Sequence, residues 1–512
     1  MFVKRTFWKL SLPGNGDSNS DYIEPIENGI VIDPTRRLSR KLPVSHVFIT
    51  SAYYYPTSKS LGQNAIALNM VVDSVNFNVE EATYNVVGSN GTHEKLTVAT
   101  SKVEGVPSCR YTTAMARTNT VENLMKLEME SNGVKVEVPF KMARYTAPKP
   151  VIICISPQFV AEQWQMFLMH VHVANRFVSF KTSHKIFGTS RFGGHLHMYI
   201  TSMVESYFEL MREYEKRGYL TLDYWLRMKF EQAQTPYFEP NGNIEWRNQA
   251  GAETDCLLQY KEAAEYIAFF DMDDILFPAT YPTYLEEFNA EWALQPNATS
   301  LLYGRREHEF IKAQTMSEFS FTELVESLRS SPTVKRGKVV VKPETYNHTW
   351  IHYSWHEDIS TRHNVSFPHL IHVQRPLQKN GNNNITQLWK MEFGPLNETI
   401  RAEDLKEIEE DYWRIRNNSR VFEISKRLPY QDFYLPIVFK CYYDSFYGFI
   451  FDRVRRNGPM QCPNADLCEL PQRDDYRCIH SDAEYFSGPH MEPFTFHFSS
   501  NSFWSKDIGC YQ

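Results

Sequence analysis

Two periodicities divide the chain. Between residues 44 and 145 apolar positions come in short or alternating runs: Val47-Phe48-Ile49, Ala65-Ile66-Ala67-Leu68, Tyr84-Asn85-Val86-Val87, Leu96-Thr97-Val98 and Val134-Lys135-Val136-Glu137-Val138. Turn formers such as Ser89-Asn90-Gly91 and Ser131-Asn132-Gly133 separate them. Such runs predict strands, and their number predicts a small β-sandwich-like domain over 44–147. Ala147-Pro148-Lys149-Pro150 closes it, because two prolines two apart favour extended chain. Residues 1–43 are polar and carry no period, so they predict an irregular segment.

After Pro150 the pattern changes. Val151-Ile152-Ile153-Cys154-Ile155 is a continuous apolar run, as expected of a strand buried on both faces. Ser156-Pro157 reads as the start of a helix, and Trp164, Phe167, Leu168, Val171 and Ala174 follow at helical spacing. Leu196 to Thr201 predicts a second strand, and Val204, Tyr207, Met211 and Tyr214 a second helix stopped at Gly218. Tyr219 to Trp225 predicts a third strand, Cys256, Leu257, Tyr260, Ala263 and Ala264 a third helix, and Tyr266-Ile267-Ala268-Phe269-Phe270 a fourth strand. This alternation predicts a doubly wound, mostly parallel sheet over 148–430. A tail over 431–512 completes the chain.

Composition narrows the class. Hydrophobic residues make up 42% of 512 and aromatics 14%, enough for packed cores. The net charge of -7, with both signs interspersed, argues against nucleic acid as the main partner. Of eight cysteines, Cys441, Cys462, Cys468, Cys478 and Cys510 lie in the tail without a C-x-x-C pair, so they predict disulfides among themselves rather than a zinc site. Glycosylation sequons stand at Asn90, Asn297, Asn347, Asn364, Asn384, Asn397 and Asn417. Both features point to the secretory pathway. Yet no signal peptide or anchor is visible in the chain as written. Any attachment to a membrane is therefore expected to run through an anchor not visible in this sequence, either because the N-terminus is incomplete or because the anchor was lost from the predicted gene product.

The fourth strand ends in Asp271-Met272-Asp273-Asp274. In open parallel sheets, ligands bind outside the carboxyl ends of the strands. Three carboxylates there repel one another and are costly to bury unless a cation lies among them. Oxygen ligands suit Mg2+ or Mn2+, which would neutralise a departing diphosphate. A solvated acidic turn is the plainer alternative. A phosphatase of the haloacid-dehalogenase type also places D-x-D after an apolar strand. It needs a second acidic pair after another such strand, and the later Asp474-Asp475 lies in the polar tail.

Several segments together resemble glycosyltransferase family 92, whose members carry a GT-A-type domain. They are Ser51-Ala52-Tyr53-Tyr54-Tyr55, Ser58-Lys59-Ser60-Leu61-Gly62, Cys154-Ile155-Ser156-Pro157, Glu162-Gln163-Trp164-Gln165, Glu245-Trp246-Arg247-Asn248-Gln249, Thr254-Asp255-Cys256-Leu257 and Phe269-Phe270-Asp271-Met272-Asp273-Asp274. The resemblance covers residues 45 to 510. It implies inverting transfer of a sugar, often galactose, from a nucleotide donor such as UDP-galactose to a glycan or glycoprotein acceptor, assisted by Mn2+ or Mg2+. On the family's pattern Asp271 and Asp273 form the D-x-D, and Asp274 occupies a position that is Asp or Glu. Arg247, Gln249 and Asp255, with Asp271 and Asp274, become candidate donor contacts. Folds of this type add a late histidine to the metal ligands. Here His372 fits, giving Asp271, Asp273 and His372 as the metal set. Inversion requires a general base. Glu357 and Asp358, the nearest acidic pair upstream of His372, are the candidates, with Glu307 and Glu309 as competitors.

The stretch Val178 to Ser190 departs from the family, which joins the first helix tightly to the second strand. It predicts an extra surface loop or a translated intron beside the nucleotide edge. That leaves a non-catalytic, glycan-binding relative as the alternative to an enzyme.

Overall fold

The computed structural model describes residues 31–32, 42, 44–75, 82–106, 108–175, 177–182, 185–190, 193–231, 237–278, 280–378, 400–451, 460–473, 477–491, 493–506 and 510. Asn384, Asn397, Asp474 and Asp475 lie outside the described residues, as does nearly all of the segment 1–43.

The apolar run after Pro150 forms the middle of an eight-stranded sheet. Its strand Val151–Gln158 lies between Gly194–Ile200 and Tyr266–Phe270, parallel to both, and Leu220–Tyr224 continues the parallel half. Alternate side chains of this strand enter two different cores. Val151, Ile153 and Ile155 pack with the helix Trp164–Asn175. Ile152 and Cys154 pack with Ala252, Cys256, Leu257 and Tyr260 of the helix Gln249–Tyr260. A strand with two buried faces has no polar alternation, which is why its sequence is continuous in apolar residues. The other half of the sheet is not parallel throughout. Arg329–Val341 runs antiparallel to both Tyr266–Phe270 and Ser300–Lys312. Arg362–Gln378 is parallel to Ser300–Lys312, and the short Asp274–Ile275 closes the edge antiparallel to it.

Three expectations about the strands need correction. Ser156-Pro157 does not open a helix: the strand continues to Gln158 and the helix begins at Trp164. The N-terminal strands do not build a sheet of their own. They belong to an eleven-stranded sheet that takes in Cys478–Ser487 and Phe494–Ser505 from the tail and Ser202–Val204 from the region after Pro150. Phe494–Ser505 lies parallel to Ser45–Ser58, so the first strand of this sheet is completed by the last strand of the chain. Residues 178–190 contribute to a hairpin, Phe177–Thr182 with Lys185–Ser190, that pairs only with itself among the described strands. The hairpin follows a helix returning from the carboxyl side and precedes the amino end of Gly194–Ile200. It therefore lies at the amino edge of the parallel strands, opposite the edge that carries Asp271.

All eight cysteines are paired. Cys441–Cys468 and Cys478–Cys510 lie within the tail, but Cys462 reaches back to Cys109, and Cys154 joins Cys256. Among the described sequons, Asn297, Asn364 and Asn417 are exposed and Asn90 and Asn347 are partly so. No helix of the described residues is long and apolar enough to cross a membrane.

The Cys109–Cys462 link gives a direct test. Proteolysis confined to the 145–150 connection should leave the two fragments joined on non-reducing electrophoresis and separate them on reduction under denaturing conditions. Fragments that part without reductant would refute the pairing.

Candidate active site

The candidate site grows from the end of the buried strand Tyr266–Phe270. The chain turns immediately after it, with Asp274 N donating to Asp271 O at 3.0 Å. Asp274 then enters the sheet directly opposite His372, and His372 has Glu307 as its register partner on the other side. Val373 N donates to Asp273 O at 2.9 Å, which fixes the turn against the same strand. Three neighbouring strands thus bring carboxylates to both sides of one imidazole.

Its two nitrogens face different partners. His372 Nδ1 donates to Asp274 Oδ1 at 2.8 Å, and Asp274 is fully buried. His372 Nε2 lies 3.8 Å from Asp273 Oδ2 and 3.6 Å from Glu307 Oε2. Asp271 is held differently: Lys338 Nζ lies 2.8 Å from its Oδ2, and Gln249 Nε2 donates to its Oδ1 at 2.7 Å. Lys338 is itself fully buried and donates to the Ile351 carbonyl at 2.7 Å. Arg305 stands 4.0 Å from Asp274 and 3.8 Å from Glu307, and Lys335 3.2 Å from Glu307.

Burial works against charge on His372, but Asp273 and Asp274 outweigh it and push the imidazole up to about 9. Burial also raises the Asp274 carboxyl, yet the charge and hydrogen bond of His372 hold it well below the usual range. Partial loss of water pushes the Asp273 carboxyl up, with His372 opposing and Asp274 and Asp271 adding repulsion. Burial pushes Glu253, which accepts from Gln249 at 2.9 Å, up to about 8.

These residues fit a divalent cation. Asp273, Asp274 and His372 each offer a ligand atom within 4.8 Å of the others. Asp274 Oδ2 is buried without a hydrogen-bond partner, and the buried Glu307 carboxylate is met by the ion pairs with Lys335 and Arg305 rather than by a hydrogen bond. Separations of 3.6 and 3.8 Å about His372 Nε2 are too long for hydrogen bonds but suit groups that straddle an ion. The Nδ1 bond to Asp274 is the support that ligating histidines commonly require. The set differs from the expected one: Asp271 is paired with Lys338 and Gln249, while Asp274, expected as a donor contact, is buried against His372.

The remaining candidates divide. Gln249 reaches the cluster because Trp246, Arg247 and Asn248 all adopt left-handed backbone, at φ 38°, 56° and 60°, and turn the chain into the helix at that point. Such residues cost about 1–3 kcal/mol each, and here tertiary bonds hold them. Trp246 N donates to Pro463 O at 2.7 Å, Trp225 Nε1 to Arg247 O at 2.9 Å, and Thr113 Oγ1 to Asn248 Oδ1 at 2.7 Å. Arg247 does not join the cluster; it bonds Asp466 at 2.7 Å and lies over the Phe159 ring. Asp255 accepts from Tyr53 at 3.0 Å and from Tyr199 at 2.5 Å, and lines a separate cavity of about 130 Å³ with Asp223, Trp225 and Arg227. Glu357 is committed to Arg362 and the Ser300 hydroxyl, and Asp358 caps a turn by accepting from Ser360 N at 3.0 Å. Neither is brought to the aspartates. Sequence reasoning missed Lys338 and Arg305. Arg305 and Glu307 are two apart in a strand, and a charged pair of period two is the signal that marks a shared face.

Arg362 and Glu357 are both buried in their ion pair. Arg362→Ala should therefore cost about 3–5 kcal/mol of stability by stranding the carboxylate. Chemical denaturation checks this, and a variant of unchanged stability would reopen Glu357 to a catalytic role.

A family profile described as glycosyltransferase family 92 matches residues 149–416. Glycosyltransferase family 92 protein ZK381.2 of Caenorhabditis elegans is 63% identical over 490 residues, covering 96% of this chain and 94% of its own. Protein F55C10.4 of the same family and organism is 41% identical over 485 residues, covering 91% of each chain. Among solved structures, residues 1–349 of S. aureus TarS overlap 44% of this chain and 60% of that one at 11% identity, with a TM-score of 0.22, a likeness too slight to decide anything about the fold.

Proposed function

The chain belongs to glycosyltransferase family 92, and from that membership and the cluster's geometry we propose a metal-dependent, GT-A-type transferase that moves galactose from UDP-galactose to a glycan or glycoprotein hydroxyl with inversion. The observation that carries metal dependence is His372, its Nδ1 held by buried Asp274 and its Nε2 facing Asp273 and Glu307. Mn2+ or Mg2+ held there would supply Lewis-acid neutralisation of the departing diphosphate. The chain's own groups prepare the site. Lys338 and Gln249 fix the Asp271 carboxylate at the strand end, and Arg305 offsets the charge of Asp274 and Glu307. Galactose and inversion rest on the family resemblance.

Catalysis is favoured over glycan binding alone by the place of the hairpin Phe177–Thr182 and Lys185–Ser190 at the amino edge, which leaves the carboxyl edge unobstructed by it. Four disulfides and the exposed sequons at Asn297, Asn364 and Asn417 support residence in the secretory lumen, placed here in the Golgi.

Transfer from UDP-galactose to a glycan array, with and without chelator, tests the reading. Chelation should abolish transfer and Mn2+ should restore it. Asp273→Asn should lower kcat/KM by about 100-fold or more, equivalent to about 3 kcal/mol of barrier. Chelator-insensitive transfer with an unaffected Asp273→Asn variant would overturn metal dependence. Transfer from a different nucleotide sugar would overturn only the choice of galactose.

A further inference from the structure

A second ligating cluster lies where the N-terminal sheet meets the catalytic region. Glu104 ends the strand Glu94–Glu104, while His348 and His356 come from the loop that precedes the His372 strand. The three side chains each offer a ligand atom within 4.8 Å of the others. The Glu104 carboxylate is fixed by the Ser354 hydroxyl and by the Trp355 N–H, which lies 3.1 and 3.0 Å from its two oxygens. His356 Nε2–H donates to the Val103 carbonyl at 2.8 Å, so its lone pair is on Nδ1. The His348 ring stacks on His356 with centroids 5.1 Å apart.

His348 carries the argument. The residue is only 9% exposed, and its Nε2 has no hydrogen-bond partner. A buried imidazole nitrogen left this way is costly unless something occupies it. Its nearest acidic neighbour, Glu104 Oε1, is 3.6 Å away. That is beyond a good hydrogen bond, but near the ~3.3 Å edge between two ligands that each stand ~2.0–2.1 Å from a tetrahedral zinc ion. Backbone and hydroxyl donors on the carboxylate, and a carbonyl on the far nitrogen of His356, are the outer contacts that orient metal ligands. Two imidazoles and one carboxylate suit zinc-like ions, whereas the carboxylate-rich Asp273 cluster suits Mn2+ or Mg2+. Burial, His356, Lys102, Arg117 and Lys261 all act against a positive charge at His348, and Glu104, 3.6 Å from it, is the acidic group set against them.

We propose that Glu104, His348 and His356 form a structural site for a zinc-class divalent ion that clamps the N-terminal sheet to the loop beside the aspartate cluster. The same loop supplies the Ile351 carbonyl that accepts from Lys338, the partner of Asp271, so the clamp would stiffen one wall of the candidate active site.

Titration of the whole, metal-stripped protein with Co2+, followed by visible absorption, tests this independently of the transfer reaction. The wild type and Asp273→Asn should both develop the intense bands of nitrogen-ligated, four-coordinate Co2+, and Zn2+ should displace them. His348→Ala should abolish the bands. His356 is exposed, so His356→Ala keeps the fold and should weaken Co2+ binding by about tenfold or more. Zn2+ should raise the Tm of Asp273→Asn, and adding His348→Ala to that variant should remove the shift. A wild type without the bands overturns the proposal, as do bands unchanged in His356→Ala or bands lost in Asp273→Asn.

Discussion

A helix with no solvent-facing side must find a partner for most of the polar atoms it carries, and Gln249–Tyr260 is such a helix. It is buried on all twelve residues although its sequence includes Gln249, Glu253, Thr254, Asp255 and Gln259. An unpaired buried polar group costs about 1–3 kcal/mol, so this element is stable only between walls that answer it. The central sheet supplies one wall through Ile152 and Cys154, with the Cys154–Cys256 disulfide across the contact. The N-terminal sheet supplies the other. Tyr53 donates to Asp255, Tyr55 to the Leu258 carbonyl at 2.6 Å, and Asn69 to the Gly251 carbonyl at 2.8 Å. The N-terminal strands are thus part of the catalytic unit's core, and that dependence explains why the last strand of the chain returns to complete their sheet.

The same helix links packing to chemistry. Its first residue, Gln249, bonds both Glu253 and Asp271. The left-handed turn before it is held by Pro463, Trp225 and Thr113, which come from the tail, the central region and the N-terminal sheet. Strain stored in a turn persists only where the surroundings over-determine it, and here all three parts of the chain do so. The position of one glutamine beside the aspartates is therefore a property of the whole fold.

Charge in the cluster follows an arrangement that no single contact provides. Asp273, Asp274 and Glu307 are brought close around His372, Asp271 is held by Lys338, and Arg305 and Lys335 are the other cations set against the carboxylates. Lys338 and Lys335 reach Asp271 and Glu307 from the antiparallel strand Arg329–Val341, and Arg305 comes from Ser300–Lys312. The parallel half of the sheet supplies the Asp271 end, and the antiparallel half supplies the histidine and most of the compensating charge.

Much of the parallel half was legible from sequence, because a strand buried on both faces must be apolar throughout and a helix covered on one face must show its period. Tyr266–Phe270 and the acidic turn after it were readable for that reason, as was the likeness of their motifs to family 92. His372 was suggested only by that likeness. The antiparallel half was not legible, since register between distant strands sets which residues meet: Asp274 faces His372 because 274 pairs with 372, and nothing within either segment states it. For the same reason the sequence offered Glu357 and Arg247 as site residues on the strength of their position along the chain, while the fold engages them with Arg362 and Asp466. It likewise left Lys338 unmarked and allowed Cys462 to be read as a partner within the tail when the sheet brings it to Cys109. Local periodicity encodes what each segment buries; which buried groups become neighbours is decided only when the segments pack.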